Sequence, residues 1–401
     1  MTTALVIGSG VAGPVTAMAL RKAGLDVLLF EAHPTGADEV GSWLTLQANG
    51  IDALRAVEAD QALVGLGFPS TGIRFVNGNG KFLGTMSNGA APEHGTPSQM
   101  LRRADLYRAL RDQAVSRGVQ LTYGKRLVDA VSTGSGVTAV FADGSTVDGD
   151  LLIGCDGIRS RVRQVIDPEA PSARYVPVLN IGGYLPGFTV PTPTDEFQMM
   201  FGKRCFFGYS ATPDGGVVWF ANPPRAHEPA AGELEAMTDA DWRSWLLELL
   251  ADDKGPAQQI VTAAPGPLHG WATYDLPTVR RWHRDRMIII GDAAHATSPS
   301  AGQGASMALE DAVILAQCLR DLPSAPAAFI QFEQLRRNRV ERVVKHGARS
   351  SNAKAAGPIG RVIRDALLPV LFARAGRDGG ASLTWMHGHH IEWDARMVPV
   401  G

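Results

Sequence analysis

The run Gly8-Ser9-Gly10-Val11-Ala12-Gly13 constrains the fold of this chain more than any other feature. It follows an apolar stretch at residues 4–7 and opens a segment, 14–23, with apolar positions at helical spacing, which Gly24 stops. A second apolar stretch, 27–30, ends at Glu31. The pattern predicts a β-α-β unit with its glycines at the first strand-to-helix turn. Gly8 permits the tight turn, Gly10 lets backbone approach a pyrophosphate, and Gly13 lets helix and strand pack closely. The Glu31 carboxylate, at the end of the second strand, suits ribose hydroxyls. In a chain with 45 glycines the fingerprint alone is weak; its place between strand and helix gives it force. It does not separate FAD from NAD.

A second glycine-rich stretch runs from Gly291-Asp292-Ala293-Ala294-His295 through Pro299 to Gly302-Gln303-Gly304. An apolar run, 287–290, precedes it and a helical pattern, 305–319, follows, so a helix N-terminus aims N–H groups at something electron-rich. Asp292 suits a polyol chain, Pro299 stiffens the loop, and His295 reads as a hydrogen-bonded turn residue rather than a base. Between the two loops, residues 154–163 concentrate Asp156 and the arginines Arg159, Arg161 and Arg163 around a glycine turn. Asp156 is expected against the cofactor's polar linker or a neighbouring backbone, the arginines on phosphates or the reductant.

A formal charge of −2 gives no electrostatic reason to bind nucleic acid or an anionic membrane, so the expected partner is a small molecule. No apolar run approaches the ~20 residues that span a bilayer, and no signal segment is evident, so a cytoplasmic protein, monomer or homodimer, is expected. The three cysteines lack metal or disulfide spacing. Residues 119–123, 128–132 and 137–141 alternate like antiparallel strands, and from about 171 to 267 short aromatic-rich strands alternate with Pro and Gly turns. The expected architecture is α/β: a Rossmann-like dinucleotide domain (1–70, 100–170, 280–345), an inserted β-sheet substrate domain (71–99, 171–279) and C-terminal helices with a tail (346–401). His387, His389 and His390 lack metal-ligand spacing and read as an exposed tail.

Taken together, Gly8 to Gly13 with Glu31, the 154–163 stretch, and Trp282 through Asp292, Gly302-Gln303-Gly304 and Glu310-Asp311 resemble the three signature segments of the single-component flavin-dependent aromatic hydroxylases. These are the enzymes similar to para-hydroxybenzoate hydroxylase and the tetracycline-inactivating monooxygenases. The likeness runs in order from about residue 3 to 342. It implies FAD, NADH or NADPH as a reductant without a Rossmann domain of its own, and O2. The implied reaction is hydroxylation of a small aromatic or polyketide-like substrate through a flavin C4a-hydroperoxide.

Carried onto this sequence, the resemblance puts pyrophosphate on Gly8, Gly10, Val11, Ala12 and Gly13, and ribose on Glu31. It puts flavin contacts at Ser42 and Leu44, an FAD-contacting arginine at Arg103 and an adenine contact at Leu127. Asp292 takes the ribityl or pyrophosphate contact, and Gly302, Gln303, Gly304 and Ala305, below Pro299, take the pyrimidine edge. Glu31 is followed by Ala32-His33-Pro34 where many relatives carry a basic residue, and the thioredoxin-like extension of the phenol hydroxylases is not expected. Met199, Phe201, Tyr209, Trp219 and Phe220 are the pocket candidates, and spacing assigns no catalytic base and no metal ligand. The rival readings are an FAD oxidase, dehydrogenase or epoxidase on a non-aromatic substrate, and a nucleotide-binding protein without turnover.

Overall fold

A computed structural model describes residues 2–35, 43–89, 95–354, 357–377 and 381–398. The opening segment folds as strand Thr3–Ile7, helix Ala12–Lys22 and strand Asp26–Phe30, the two strands pairing in parallel. Around them lies a six-stranded sheet in the order His283–Arg284, Met287–Ile289, Leu151–Gly154, Thr3–Ile7, Asp26–Phe30, Gln120–Thr122. All its pairings are parallel except that of His283–Arg284. Leu151–Gly154 and Met287–Ile289 are buried throughout, as strands covered on both faces must be.

Residues near 120 were expected to alternate with the following antiparallel strands, but Gln120–Thr122 pairs in parallel with Asp26–Phe30. Helix Arg103–Ser116, ahead of it, supplies the crossover that a parallel pairing needs. Only Leu127–Ser132, Val137–Phe141 and Thr146–Gly149 form the antiparallel meander.

Helices Ala12–Lys22 and Gly304–Asp321 pack together beside this sheet. Gly291, at φ +58°, sits at their contact: a Cβ there would lie 3.0 Å from the Ala308 Cβ and 3.6 Å from that of Ala12. Two loops nearly three hundred residues apart are thereby brought side by side.

A seven-stranded sheet has the order Gly270–Asp275, Arg174–Leu185, Val217–Asn222, Phe206–Ala211, Glu196–Phe201, Gly72–Asn77, Phe82–Ser87. Helices Asp239–Leu250 and Ala257–Ala263 bury Trp242, Leu246, Ile260 and Val261 against one face. Thr238 and Asp241 cap the first of these helices reciprocally. The opposite face meets the small sheet Trp43–Leu46, Gln99–Arg102, Gly67–Pro69, and near its edge the helix Pro358–Arg377. The chain's last segment was expected to be an exposed tail. Instead Met386, Ile391 and Trp393 are buried in the core of the first unit, and only His390 of the three histidines is exposed.

Candidate cofactor and substrate site

At the first loop the glycines are required by contact. A Cβ on Gly13 would stand 1.8 Å from the Gly8 carbonyl oxygen, and one on Gly8 (φ +100°) 2.5 Å from that of Cys155. Gly10 faces open space. Helix Ala12–Lys22 begins without a side-chain cap, so its first N–H groups remain available for an anion. Glu31 is held at the rim: Oε2 accepts from the Ser9 N–H at 2.8 Å and Oε1 from that of His33 at 2.9 Å. Each oxygen keeps a lone pair for a hydroxyl. Leu127 is buried at the start of its strand, Leu44 lies half-buried opposite Leu101, and Ser42 falls outside the described residues.

Arg103 and Asp292, 189 positions apart in the chain, come close enough for each to act on the other's charge. Both side chains are solvent-exposed, yet Asp292 sits deep enough that removal from bulk water pushes its carboxyl above the ordinary range, against the pull of His295 and Arg103. Exposure at such depth describes a slot walled by protein. Arg103 Nε donates to the Tyr107 hydroxyl at 2.6 Å, one helical turn on, whereas Arg102 turns outward to Asp105. Tyr107 was not anticipated, although its i,i+4 spacing from Arg103 was there to read.

The last loop closes the slot. A Cβ on Gly304 would lie 3.7 Å from the Asp292 Oδ1, and Gly302, at φ +61°, leaves 3.4 Å to the Gln47 Nε2. Pro299 begins a single 3-10 turn ahead of them. Helix Gly304–Asp321 also starts without a side-chain cap, leaving the N–H groups of Gly304 and Ala305 for a ligand. Two uncapped helix ends, open space over Gly10 and carboxylates at Glu31 and Asp292 fit a dinucleotide with a central pyrophosphate.

Beneath the last loop lies a buried ionic network. Asp311 accepts from the Gly291 N–H at 2.9 Å, pairs with His295 Nε2 at 2.5 Å and with Arg336 Nε at 2.7 Å. Burial alone would raise its pKa, but His295 and Arg336 hold it down at about 2. His295 is thus engaged with Asp311 rather than turned toward the slot.

Of the two alternatives read for Asp156, the structure shows the neighbouring backbone. Asp156 spends its carboxylate on the chain itself, accepting from the Arg161 and Val162 N–H groups at 2.7 and 3.1 Å and from the Ser160 hydroxyl. Ser160 is the N-cap of helix Arg161–Ile166, and Asp156 takes the helix's first two N–H groups beside it. The arginines likewise serve protein: Arg161 Nε donates to the Val128 carbonyl, Arg163 to those of Ala293 and Ile158, and Arg159 lies over the Tyr274 ring.

The pocket candidates divide between two faces, because successive strand residues point opposite ways. Met199, Phe201 and Phe220 point toward the small sheet and helix Pro358–Arg377, among Trp43, Phe68, Met100 and Phe197. Tyr209 and Trp219 belong to the core under the two helices on the other side. The five cannot line one pocket.

A family model described as an FAD-binding domain matches residues 1–346. Aurachin C monooxygenase/isomerase from Stigmatella aurantiaca is 30% identical over 336 residues, covering 83% of this chain and 85% of that protein. The 3-amino-4-hydroxybenzoate 2-monooxygenase of Streptomyces cremeus is 30% identical over 350 residues, covering 86% and 85%. Klebsiella pneumoniae HpxO, crystallised with FAD and uric acid, shares the fold with a TM-score of 0.83 at 24% identity, over 95% of this chain and 96% of that one. The chain belongs to the FAD-binding-domain family and is an FAD-dependent monooxygenase with a nicotinamide reductant.

Proposed function

We propose that this enzyme hydroxylates a small, electron-rich aromatic or polyketide-like molecule held between the flavin end of the slot and the aromatic face of the seven-stranded sheet. The observation that carries the reading is the uncapped start of helix Gly304–Asp321 beside Asp292, in a chain that also presents an aromatic face on its seven-stranded sheet. FAD, once reduced by NADH or NADPH, supplies the activation of O2.

The chain's own residues do the rest. Gly8, Gly10, Val11, Ala12 and Gly13 bind pyrophosphate through backbone N–H groups, and Glu31 accepts from the adenosine ribose. Arg103 and Asp292 orient the ribityl side, with Leu44 and Leu127 as apolar contacts. The N–H groups of Gly304 and Ala305 stabilise negative charge on the reduced ring. Trp43, Phe68, Met100, Phe197 and Phe220 exclude water, which otherwise favours loss of hydrogen peroxide without product. No general base is required, because the substrate ring is itself the nucleophile.

The test is NAD(P)H consumption by the FAD-loaded enzyme across a panel of phenols, anthranilates and fused aromatic ketones under labelled O2. We expect a compound that accelerates oxidation and gains one labelled oxygen. Accelerated oxidation whose product carries no label from O2 overturns hydroxylation in favour of a dehydrogenase.

A further inference from the structure

The loop at residues 302–305 is reached by a residue from the far end of the chain. Gln303 is fully buried, and its Nε2 lies 3.2 Å from the Nδ1 of half-buried His387. The direction of that hydrogen bond is set by its neighbours. Glu310, ion-paired with Arg336 and Arg339, is a carboxylate and can only accept. It receives the Asn49 Nδ2 at 2.6 Å, so that atom is a nitrogen, and it also donates to Gln303 Oε1 at 3.0 Å. Gln303 must then present its NH2 to His387. His387 Nδ1 accepts, and its proton sits on Nε2.

The contacts close on themselves. Arg339, held by Glu310, donates to the carbonyls of Trp385 and Met386, immediately before His387. The ring of partners therefore runs from Gln303 through Asn49, Glu310 and Arg339 to the 385–387 turn and back to Gln303. Helix Ala48–Ala56, which carries Asn49, touches the start of helix Gly304–Asp321 by backbone: a Cβ on Gly50 would stand 2.9 Å from the Ser306 Cα. The links come from four parts of the chain, helix Ala48–Ala56, helix Gly304–Asp321 with its cap Gln303, helix Ala325–Lys354 and residues 385–387, so the loop backbone has little freedom left.

We propose that His387 is a positioning residue for the flavin: by accepting from Gln303 it holds residues 302–305 so that their N–H groups meet the pyrimidine edge of the ring. The inference rests on the reading that FAD reaches Gly304. Burial, with His346 and Arg339 nearby, holds the imidazole pKa down at about 4, in keeping with a neutral acceptor.

The test uses full-length protein with FAD bound, measuring amide hydrogen exchange at residues 302–306 and the midpoint potential of the flavin. His387→Ala should accelerate exchange about fivefold, the factor expected for one lost hydrogen bond, and move the potential to more negative values. His387→Asn, whose Oδ1 can take the place of Nδ1, should restore both. His390→Ala, which removes the exposed partner of Asp52, should change neither. Wild-type exchange and potential in His387→Ala overturn the proposal, as does failure of the Asn variant to restore them. Gly304→Pro separates the underlying reading, since it deletes the Gly304 N–H, one of the donors offered to the ring. If Gly304→Pro leaves the potential unchanged, the placement of FAD is wrong; if it shifts the potential while His387→Ala does not, only the role of His387 is.

Discussion

The two ends of the slot proposed to hold the cofactor are built in opposite ways. The first end is local: Gly8, Gly10, Gly13 and Glu31 lie within one β-α-β unit, with the backbone of Cys155 and Asp156 against Gly8 and that of Thr122 and Lys125 bonded to Glu31. The second end is assembled from Asn49, Arg103, Asp292, Gln303, Glu310, Asp311, Arg336 and His387, held by buried charges and amides. A local end depends on backbone geometry and small residues, so it fails by steric clash. A remote end depends on long-range polar contacts that are costly to leave half-made, so it fails by loss of a partner.

The largest expected effect breaks the remote end. Asp311→Asn keeps the shape but leaves Arg336 and His295 with a neutral partner inside the protein. We expect a loss of ~3–5 kcal/mol in urea unfolding near neutral pH. The pH dependence follows from linkage. Asp311 ionises at about 2 in the folded protein against an ordinary value of 3.8, so its contribution is complete above about pH 4 and disappears as pH falls through 2. The stability gap between wild type and Asp311→Asn should therefore close between pH 4 and 2. A gap that stays constant over that range would show that the network does not depend on the charge of Asp311.

A smaller effect is expected at the local end, where two glycines three positions apart, Gly10 and Gly13, can be set against each other. Gly13→Ala forces its methyl into the Gly8 carbonyl and should cost ~3 kcal/mol whether or not FAD is present. Gly10→Ala meets nothing within 4 Å and should leave the stability of the FAD-free protein unchanged while weakening FAD binding. Equal destabilisation by both in the FAD-free protein would mean that Gly10 is a folding requirement and not an opening for pyrophosphate.

This contrast also explains what could be read from the sequence. The β-α-β unit, the second glycine loop and the aromatic-rich sheet are legible because strand and helix periods and glycine spacing are local properties. Asp156 was read as facing either the cofactor or a neighbouring backbone, and the backbone is what it meets; the sequence leaves both open because a carboxylate five residues ahead of a helix suits capping and ligand binding alike. Tyr209 and Trp219 were grouped with Phe220 because nothing in an aromatic-rich strand says which face will be covered by helices Asp239–Leu250 and Ala257–Ala263. The histidines near the C-terminus carried no signal at all. Their partners, Gln303 and Asp52, are 84 and 338 positions away, and no periodicity links such residues.

The smallest effects compare Glu31 and Asp292, the two carboxylates proposed to face the cofactor. Glu31 is held by two backbone N–H groups that solvent can satisfy when the side chain is removed, so Glu31→Ala should hardly alter stability. It should weaken FAD binding about tenfold, the loss of one charge-assisted contact to a ribose, and leave the flavin potential unchanged. Asp292→Ala removes a similar contact, so binding should weaken by a similar factor. Asp292 also faces Arg103 and stands beside Gly304, so its removal takes a negative charge from the flavin end. With Arg103 then uncompensated, negative charge on the reduced ring is better stabilised and the potential should move to more positive values. Equilibrium dialysis and dye-coupled redox titration of the two variants read these quantities separately. A potential shift in Glu31→Ala with none in Asp292→Ala would reverse the assignment of the two ends, because only the carboxylate near the ring can act on it.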